Sequence, residues 1–336
     1  MAQHDLTPMT AVDSDELPSG AGWIYEPKWD GLRCLVSVDA DGAVALSSAR
    51  GESLTDAFPE LVAAARMQLP ANTIVDGEIV RWNEQGRMEF AAVQRRIEDN
   101  DDKDSDQSDQ LAISEPCQLI LFDMLHCDGR DLTRSPLVQR RLQLEQLVSS
   151  DEEESAVLVL SQQTEDLETA QAWFGQIASL GIEGVVAKRA HEPYRQLGRT
   201  WRTVDNITAT QAIVGGVIGQ LKRPKSLIVG RIRRIDGQLH IAGRTGQLDR
   251  SVVEEIAGKL AMAGDSHPWA KELPTSWAER NYHRVIPRLV IEVRTDVSAT
   301  NDPGEPTRWR HRVDFVRIRS DLAAYDVPLD LDVTQR

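Results

Sequence analysis

The segment Glu26-Pro27-Lys28-Trp29-Asp30-Gly31-Leu32-Arg33 sets a lysine between a proline and an Asp-Gly pair, just ahead of the apolar run Cys34-Leu35-Val36. A turn signal before a strand holds such a lysine at a fixed place on a sheet edge. A fixed lysine can act as a nucleophile. Attack on phosphorus requires the free amine, so its pKa must be drawn down by burial or by neighbouring cations. Arg33 is one cation close in sequence. A solvated lysine beside a hairpin turn fits the same residues, since short motifs also match by chance. Other charged strands must decide.

Two such strands follow. Thr73–Val80 is apolar apart from Thr73, Asp76, Gly77 and Glu78, and Gly181–Lys188 is entered by Glu183 and left by Lys188. Ionised side chains seldom sit in apolar strands without partners. Glu78 is therefore either a functional carboxylate or half of a structural ion pair. With Phe122 in Gln118–Leu125, the set Lys28, Arg33, Glu78, Phe122, Glu183 and Lys188 contains a nucleophile, cations for phosphate, carboxylates for a ribose hydroxyl and a metal, and an aromatic plate for a base. Neither G-x-x-x-x-G-K-[ST] nor a G-x-G-x-x-G after a strand occurs, so a nucleotide must be held in another way. Without a His/Cys cluster, the metal expected is Mg²⁺ held by carboxylates and phosphates.

The elements that must position these residues can be read in outline. Residues 1–22 are polar and punctuated by Pro and Gly, which predicts an irregular lead-in with a disordered start. Apolar runs around Asp41-Gly42 predict a hairpin over Cys34–Ser48. Helical spacing covers Asp56–Leu69, capped by Thr55 or Asp56 and stopped by Pro70. A short helix at Phe90–Ile97 leads into an acidic loop to about residue 114. Strands are expected at Gln118–Leu125 and Ala156–Leu160, and helices at Leu137–Leu147 and Leu167–Leu180, the last ended by Gly181. Several connections are too short for a helical crossover, which predicts a domain over residues 1–206 of α+β class with mostly antiparallel sheets and flanking helices. From residue 207 to 336 the pattern changes to five short β runs, Gln211–Gly219, Leu227–Ile235, Leu239–Gly243, Leu289–Arg294 and Val313–Arg319, with one helix at Asp249–Ala263. That is the pattern of a small β-barrel of OB type.

The chain has 336 residues, of which 41% are hydrophobic, enough for a substantial core. No basic leader with an apolar core opens it and no apolar run of about 18 residues occurs, which argues against secretion and membrane insertion. Cys34, Cys117 and Cys127 form no C-x-x-C pair, and the odd count suits a reducing compartment. The net charge of −15 argues against a nucleic-acid partner until its distribution is read. Residues 98–109 hold seven acids and one lysine, and residues 151–154 are all acidic, so two short runs carry most of the excess. Lys222, Arg223, Lys225, Arg231, Arg233 and Arg234 cluster instead, as do Arg308, Arg310, Arg312, Arg317 and Arg319. Each group could form a positive face.

Five local motifs in this order resemble the ATP-dependent DNA ligases, within the covalent lysyl-nucleotidyl transferases, and most of all the short bacterial repair types called ligase C and the ligase module of ligase D. The likeness covers nearly the whole chain. It implies a nucleotidyltransferase domain over 1–206 and an OB-fold domain over 207–336. Lys28 would attack the α-phosphate of ATP and carry AMP as a phosphoramidate. Arg33 would contact the ribose and later the DNA end, Glu78 the ribose, Phe122 the adenine and Lys188 the α-phosphate. Glu183 would help hold Mg²⁺, and Glu26 would belong to the nucleotide site. Gly243-Arg244-Thr245-Gly246 matches the OB domain, and Arg319 and Asp321 would orient pyrophosphate. The implied partners are nicked or broken duplex DNA and bacterial repair proteins, met in the cytoplasm on the nucleoid by a monomeric minimal core.

Departures from the pattern are as specific as the matches. The family's Ser-Arg-x-Gly reads Ser48-Ala49-Arg50-Gly51 here, leaving Arg50 as the candidate substitute. Its Trp-x-Lys-x-Lys reads Trp201-Arg202-Thr203-Val204-Asp205, and Leu322 stands where a lysine would follow Asp321. Thr203 and Asp205 thus replace two phosphate-facing cations, with Arg199 or Arg202 as candidates to compensate. Readings kept beside the active ligase are a degenerate ligase-like binder and an RNA ligase or capping-type transferase.

Overall fold

The computed structural model describes residues 6–84, 86–100, 105–148, 156–177, 182–265, 267–269, 281–296, 299–300 and 308–331. The chain divides into two compact units, Met1–Asn206 and Ile207–Arg336.

The first unit runs β1 (Ala11–Asp13), β2 (Trp23–Lys28), β3 (Leu32–Val38), β4 (Val44–Ser48), α1 (Pro59–Gln68), β5 (Thr73–Val80), α2 (Phe90–Asn100), α3 (Ser105–Ser114), β6 (Gln118–Cys127), β7 (Arg130–Asp131), α4 (Leu137–Leu147), β8 (Leu158–Leu160), α5 (Leu167–Ile177), β9 (Gly184–Arg189) and β10 (Trp201–Asp205). Its strands form two sheets. One has the order β1-β10-β9-β2, antiparallel except for the β1–β10 pair. The other has the order β4-β3-β5-β6-β7, with β8 parallel to β6.

Strand alternation sorts the side chains onto opposite faces. On β2 and β9, Trp23, Tyr25, Val185 and Ala187 pack with Ala170 and Trp173 of α5. On β3, Cys34, Val36 and Val38 join Phe58, Leu61 and Leu121 in the largest cluster. The remaining faces meet through Leu35, Phe122, Trp201 and Tyr194, with Met9 beside them. Lys28, Arg33, Glu78, Glu183 and Lys188 lie on or beside that inter-sheet face of the unit. This explains why its strands are apolar yet charged: each has one face in a core and one in a cleft.

Buried charge here is paired. Arg140 and Asp123, 1% and 0% exposed at the side chain, form a two-point pair at 2.7 and 2.8 Å. Arg140 also donates to the carbonyls of Ser135 and Glu192, so one guanidinium ties α4 to β6 immediately after Phe122. Arg140→Ala leaves a buried carboxylate uncompensated and is expected to destabilise the protein by about 3–5 kcal/mol. The midpoint of chemical denaturation measures this, and an Asp123→Leu/Arg140→Met double variant should recover much of the loss.

Several sequence expectations change. The lead-in is not wholly irregular, because Ala11–Asp13 pairs with Trp201–Thr203, about 190 residues away, and a three-residue strand with so distant a partner leaves no local periodicity. Residues 1–5, residues 151–154 and Gly181 lie outside the described residues. The acidic loop is helical at Ser105–Ser114, and α2 runs on to Asn100. Helix α1 starts at Pro59, with Phe58 rather than Thr55 or Asp56 in the cap position, as suits a proline, whose missing N–H costs nothing in the first turn.

The second unit contains β11 (Thr208–Gln220), β12 (Arg223–Ile232), β13 (Leu239–Arg244), α6 (Arg250–Ile256), β14 (His283–Arg284), β15 (Val290–Thr295), β16 (Ala299–Thr300), β17 (Arg308–Trp309) and β18 (Asp314–Ile318). The order β13-β12-β11-β15-β18 is antiparallel throughout, with β14 on β11. A parallel bridge from Thr245 to Val313 brings the two outer strands together, so the sheet curls into a partly closed barrel. Ala212, Val214, Val229, Ile291 and Trp309 fill its interior. The helix expected to Ala263 stops at Ile256, and Gly258 follows in the left-handed region at φ 83°. The α+β class of the first region and the OB-type barrel of the second both hold.

Candidate active site

Lys28 is the last residue of β2, an edge strand, and lies opposite Gly184 of β9. The lysine is pinned by its own backbone, since its carbonyl accepts from the Glu183 N–H at 3.0 Å. Two glycines are needed nearby for close approach. A Cβ on Gly184 would lie 2.2 Å from the Val204 carbonyl oxygen, and one on Gly31 would lie 2.3 Å from that of Ile79 and 2.8 Å from Cγ of Glu78. Gly31 is thus required by crowding, since it is not among the residues with positive φ that a hairpin turn would need.

The amine of Lys28 sits 2.8 Å from Asp205 Oδ1 and 3.3 Å from Glu183 Oε2, with its side chain 30% exposed. Burial is the largest single influence and pushes the ammonium's pKa down. The charges of Glu183 and Asp205 and their hydrogen bonds outweigh it, leaving the amine above an ordinary lysine. This corrects the expected activation. Arg33 is not the neighbour that tunes Lys28, because its guanidinium is engaged with Asp76 at 2.6 Å through both Nε and Nη2. Asp76 in turn accepts from the Tyr194 hydroxyl at 2.7 Å, and that hydroxyl accepts from the Met9 N–H.

The cleft wall across from Lys28 is built from β3, β5 and β6. Arg33 pairs with Glu78 in register, while Asp76, two residues back on the same face, takes its guanidinium diagonally. Loss of hydration pushes the Glu78 carboxyl up to about 8, with Arg33 opposing. Phe122 is boxed by cations. Lys188 Nζ lies 4.4 Å and Arg33 Cζ 4.5 Å from its ring centroid, and Trp201 meets it edge-on at 6.3 Å. Lys188 is also 4.3 Å from the Trp201 ring, so an aromatic corner receives its charge.

Glu26 and Lys188 form a buried pair at 2.8 Å, each 2% exposed, and Gln163 donates to the same carboxylate oxygen at 2.7 Å. Burial, the dominant influence, holds the Lys188 amine below an ordinary lysine despite Glu26 and Asp123.

Of the sequence-derived set, Lys28 and Glu183 meet directly. Arg33, Glu78 and Phe122 form the adjoining wall, and Lys188 and Glu26 pair on the sheet that carries Lys28. Arg50 is exposed and contributes only its backbone N–H, which donates to Ser48 Oγ. Arg319 belongs to the second unit, where Asp321 and Glu292 hold it at 2.7 and 3.1 Å and the Asp321 carboxyl falls to about 2. The sequence reading gave no role to Asp76, Tyr194 or Gln163. Asp76 was visible in Val75-Asp76-Gly77-Glu78, whereas Tyr194 and Gln163 lie in segments without periodicity and carry no signal.

Comparison with known proteins follows the same outline. A family model described as "ATP dependent DNA ligase domain" matches residues 8–204. DNA ligase C of Mycobacterium tuberculosis is 30% identical over 345 residues, which span 94% of this chain and 90% of that protein. A DNA ligase of Thermococcus fumicolans is 35% identical over 82% of this chain and 48% of its own length. Among solved structures, a mycobacterial DNA ligase D complexed with ATP and MES is 28% identical, covers 98% of this chain and 100% of its own, and superposes with a TM-score of 0.52.

Proposed function

Because the chain belongs to the ATP-dependent DNA ligases, we propose that Lys28 is the nucleophile that takes AMP from ATP and that nicked duplex DNA is the acceptor. The observation that carries this reading is the place of Lys28 at the end of β2, with Glu183 at 3.3 Å, Lys188 on the neighbouring strand β9, and a wall of Arg33, Glu78 and Phe122 on the adjoining sheet. Residues 1–206 then perform adenylation and residues 207–336 serve as the OB-fold module.

The amine first gives its proton to water, which its 30% exposure allows. Lys28 Nζ then attacks the α-phosphorus, an N–P bond forms as the nitrogen loses a second proton to water, the Pα–O bond to the β-phosphate breaks, and pyrophosphate leaves. Lys188, the buried cation on the Phe122–Trp201 corner, faces the charge that develops on the α-phosphate. Glu78, with its carboxyl at about 8, is mostly protonated at neutral pH and can donate to a ribose oxygen as well as accept. Phe122, 5% exposed with Lys188 and Arg33 over its ring, backs these two cations rather than presenting a free plate to adenine, and Arg33, aimed by Asp76 and Tyr194, reaches the ribose and then the DNA end. Glu183, 6% exposed with an oxygen turned to the nucleophile, fits Mg²⁺, which binds through one or two carboxylates plus substrate phosphates. The ion would withdraw charge from the phosphate oxygens.

No described helix is long and apolar enough to cross a membrane. We infer that the protein acts on chromosomal DNA in a bacterial cytoplasm, where repair proteins would raise its local concentration at a break.

Nick sealing on DNA, RNA and hybrid duplexes tests the assignment. DNA nicks should be sealed in an ATP- and Mg²⁺-dependent way, and preferential sealing of RNA would overturn it. Affinity for the nick should also fall with salt, log K declining by about 0.9 per phosphate neutralised for each decade of salt. An affinity indifferent to salt contradicts phosphate binding.

A further inference from the structure

The opening residues of the chain reach the wall of the cleft. Met9 is 1% exposed and stands two residues ahead of β1, in a lead-in whose composition is polar. Both of its backbone groups are engaged there. Its N–H donates to the Tyr194 hydroxyl at 3.0 Å, and its carbonyl accepts from Arg33 Nη2 at 3.5 Å. The Tyr194 hydroxyl donates to Asp76 Oδ2 at 2.7 Å, and that oxygen also accepts from Arg33 Nη2 at 2.6 Å. Met9, Tyr194, Asp76 and Arg33 thus close a ring of hydrogen bonds, with Asp76 at 0% and Tyr194 at 4% exposure. Buried backbone groups must find partners, but that requirement alone does not bring both groups of one residue into the same arginine's ring.

The ring holds a guanidinium by one edge. Asp76 takes Nε and Nη2 of Arg33, and the Phe122 and Trp201 ring centroids lie 4.5 and 5.3 Å from its Cζ. Among the described residues no acceptor holds Nη1, which leaves that nitrogen for a ligand. The arginine is only as well aimed as its carboxylate, because a two-point pair fixes the two groups to each other and not to the rest of the protein. Tyr194 supplies that second fixation. Its hydroxyl turns Asp76 Oδ2, and its own N–H is tied to the Thr133 carbonyl at 2.7 Å. Met9 completes the frame, holding the Tyr194 hydroxyl with one backbone group and Nη2 with the other.

Strand register places Met9. β1 runs parallel to β10 with Ala11 opposite Trp201 and Asp13 opposite Thr203, and the Thr10 N–H donates to the Gly198 carbonyl at 3.0 Å. The Arg195 N–H donates to Met9 Sδ at 3.1 Å, so the residue after Tyr194 grips the same methionine. A slip of one residue would turn the side chains of β1 to the other face and carry both backbone groups of Met9 away from their partners. Trp201, which receives β1, meets Tyr194 edge-on at 6.1 Å and also covers Arg33. The lead-in and the segment from Tyr194 to β10 form one clamp.

We propose that the amino-terminal segment Leu6–Asp13 is a working part of the nucleotide site, with Met9 and Tyr194 as positioning residues that act through Arg33. The proposal rests on the reading of Arg33 as a contact to the nucleotide, and its test separates the two. Labelling of Lys28 by α-labelled ATP at subsaturating concentration is compared in wild type, Tyr194→Phe, Arg33→Ala and the double variant. Tyr194→Phe keeps the ring and removes only the hydroxyl. It should slow labelling on the order of tenfold where Arg33 is present, the scale of one hydrogen bond to a charged group, and by less than about twofold where Arg33 is alanine. An equal loss in both backgrounds makes Tyr194 merely structural and overturns the proposal.

Two signals read the clamp without nucleotide. In Tyr194→Phe the Met9 amide should exchange with solvent about tenfold faster or more, and the Arg33 Nε–H resonance, identified by its loss in Arg33→Lys, should move. Either signal unchanged overturns the proposal. Protein lacking residues 2–13 should label at least as slowly as Tyr194→Phe, and labelling at the wild-type rate overturns the role of the segment. Should that deletion not fold, the full-length hydroxyl variant still decides. Wild-type protein that takes no label contradicts the ligase reading instead, and the two signals then decide the clamp alone.

Discussion

Lys28→Ala protein incubated with α-labelled ATP and Mg²⁺ is expected to acquire no covalent label, a loss on the order of 10⁴-fold or more, as removal of a covalent nucleophile gives. Because Lys28 also neutralises Asp205 and Glu183, the alanine variant removes a charge as well as an amine. Lys28→Arg separates the two. A guanidinium keeps the cation between the carboxylates but does not deprotonate in proteins, so it too should remain unlabelled while retaining the stability that the alanine variant loses. Label on the alanine variant would show that another residue is the nucleophile. Label on wild type and on neither variant, with thermal stability preserved in the arginine form, assigns the chemistry to Lys28 Nζ.

The elements that hold this lysine were largely legible because each has a single strong period. Thr73–Val80 and Leu137–Leu147 fall on their predicted residues, and the charge in β5 and β9 pointed to a face that was not core. What could not be read was who pairs with whom across that face. Arg33 is close to Lys28 in sequence, yet the alternation of β3 and its register with β5 direct it to Asp76. Tyr194 completes that network from a loop, joined to β3 and β5 only by tertiary contact. Ala11–Asp13 could not be seen as a strand because its sole partner lies at the end of the first unit. Local pattern fixes the period of an element and which face is apolar. Pairing between sheets depends on the register of chains far apart in sequence, and single charges are where that dependence becomes visible.

Asp205 is the position at which this dependence matters most for rate. The family's lysine here would meet the phosphates, but Asp205 instead accepts a hydrogen bond from the nucleophile at 2.8 Å. Two effects oppose adenylation. The carboxylate adds to Glu183 in lifting the Lys28 pKa, after burial has pushed the other way, so fewer amines are free at neutral pH. It also places negative charge where phosphate charge must come. Asp205→Asn keeps the size and a hydrogen-bonding oxygen but removes the charge. The Lys28 pKa should then fall, the rising limb of the adenylation rate against pH should move to lower pH, and the rate near pH 7 should rise. Asp205→Lys supplies a cation as well, and one donor aimed at developing charge is worth about 10² to 10³ in rate, so single-turnover labelling should accelerate by about that factor over wild type. Both substitutions lie at the end of β10 with Asp205 exposed by about a third at its side chain, which limits their effect on the fold. Slower labelling in both variants, with the pH limb unmoved, would mean the opposite: that the carboxylate positions Lys28 for attack and that this chain has exchanged a phosphate-binding cation for an anchor on its nucleophile.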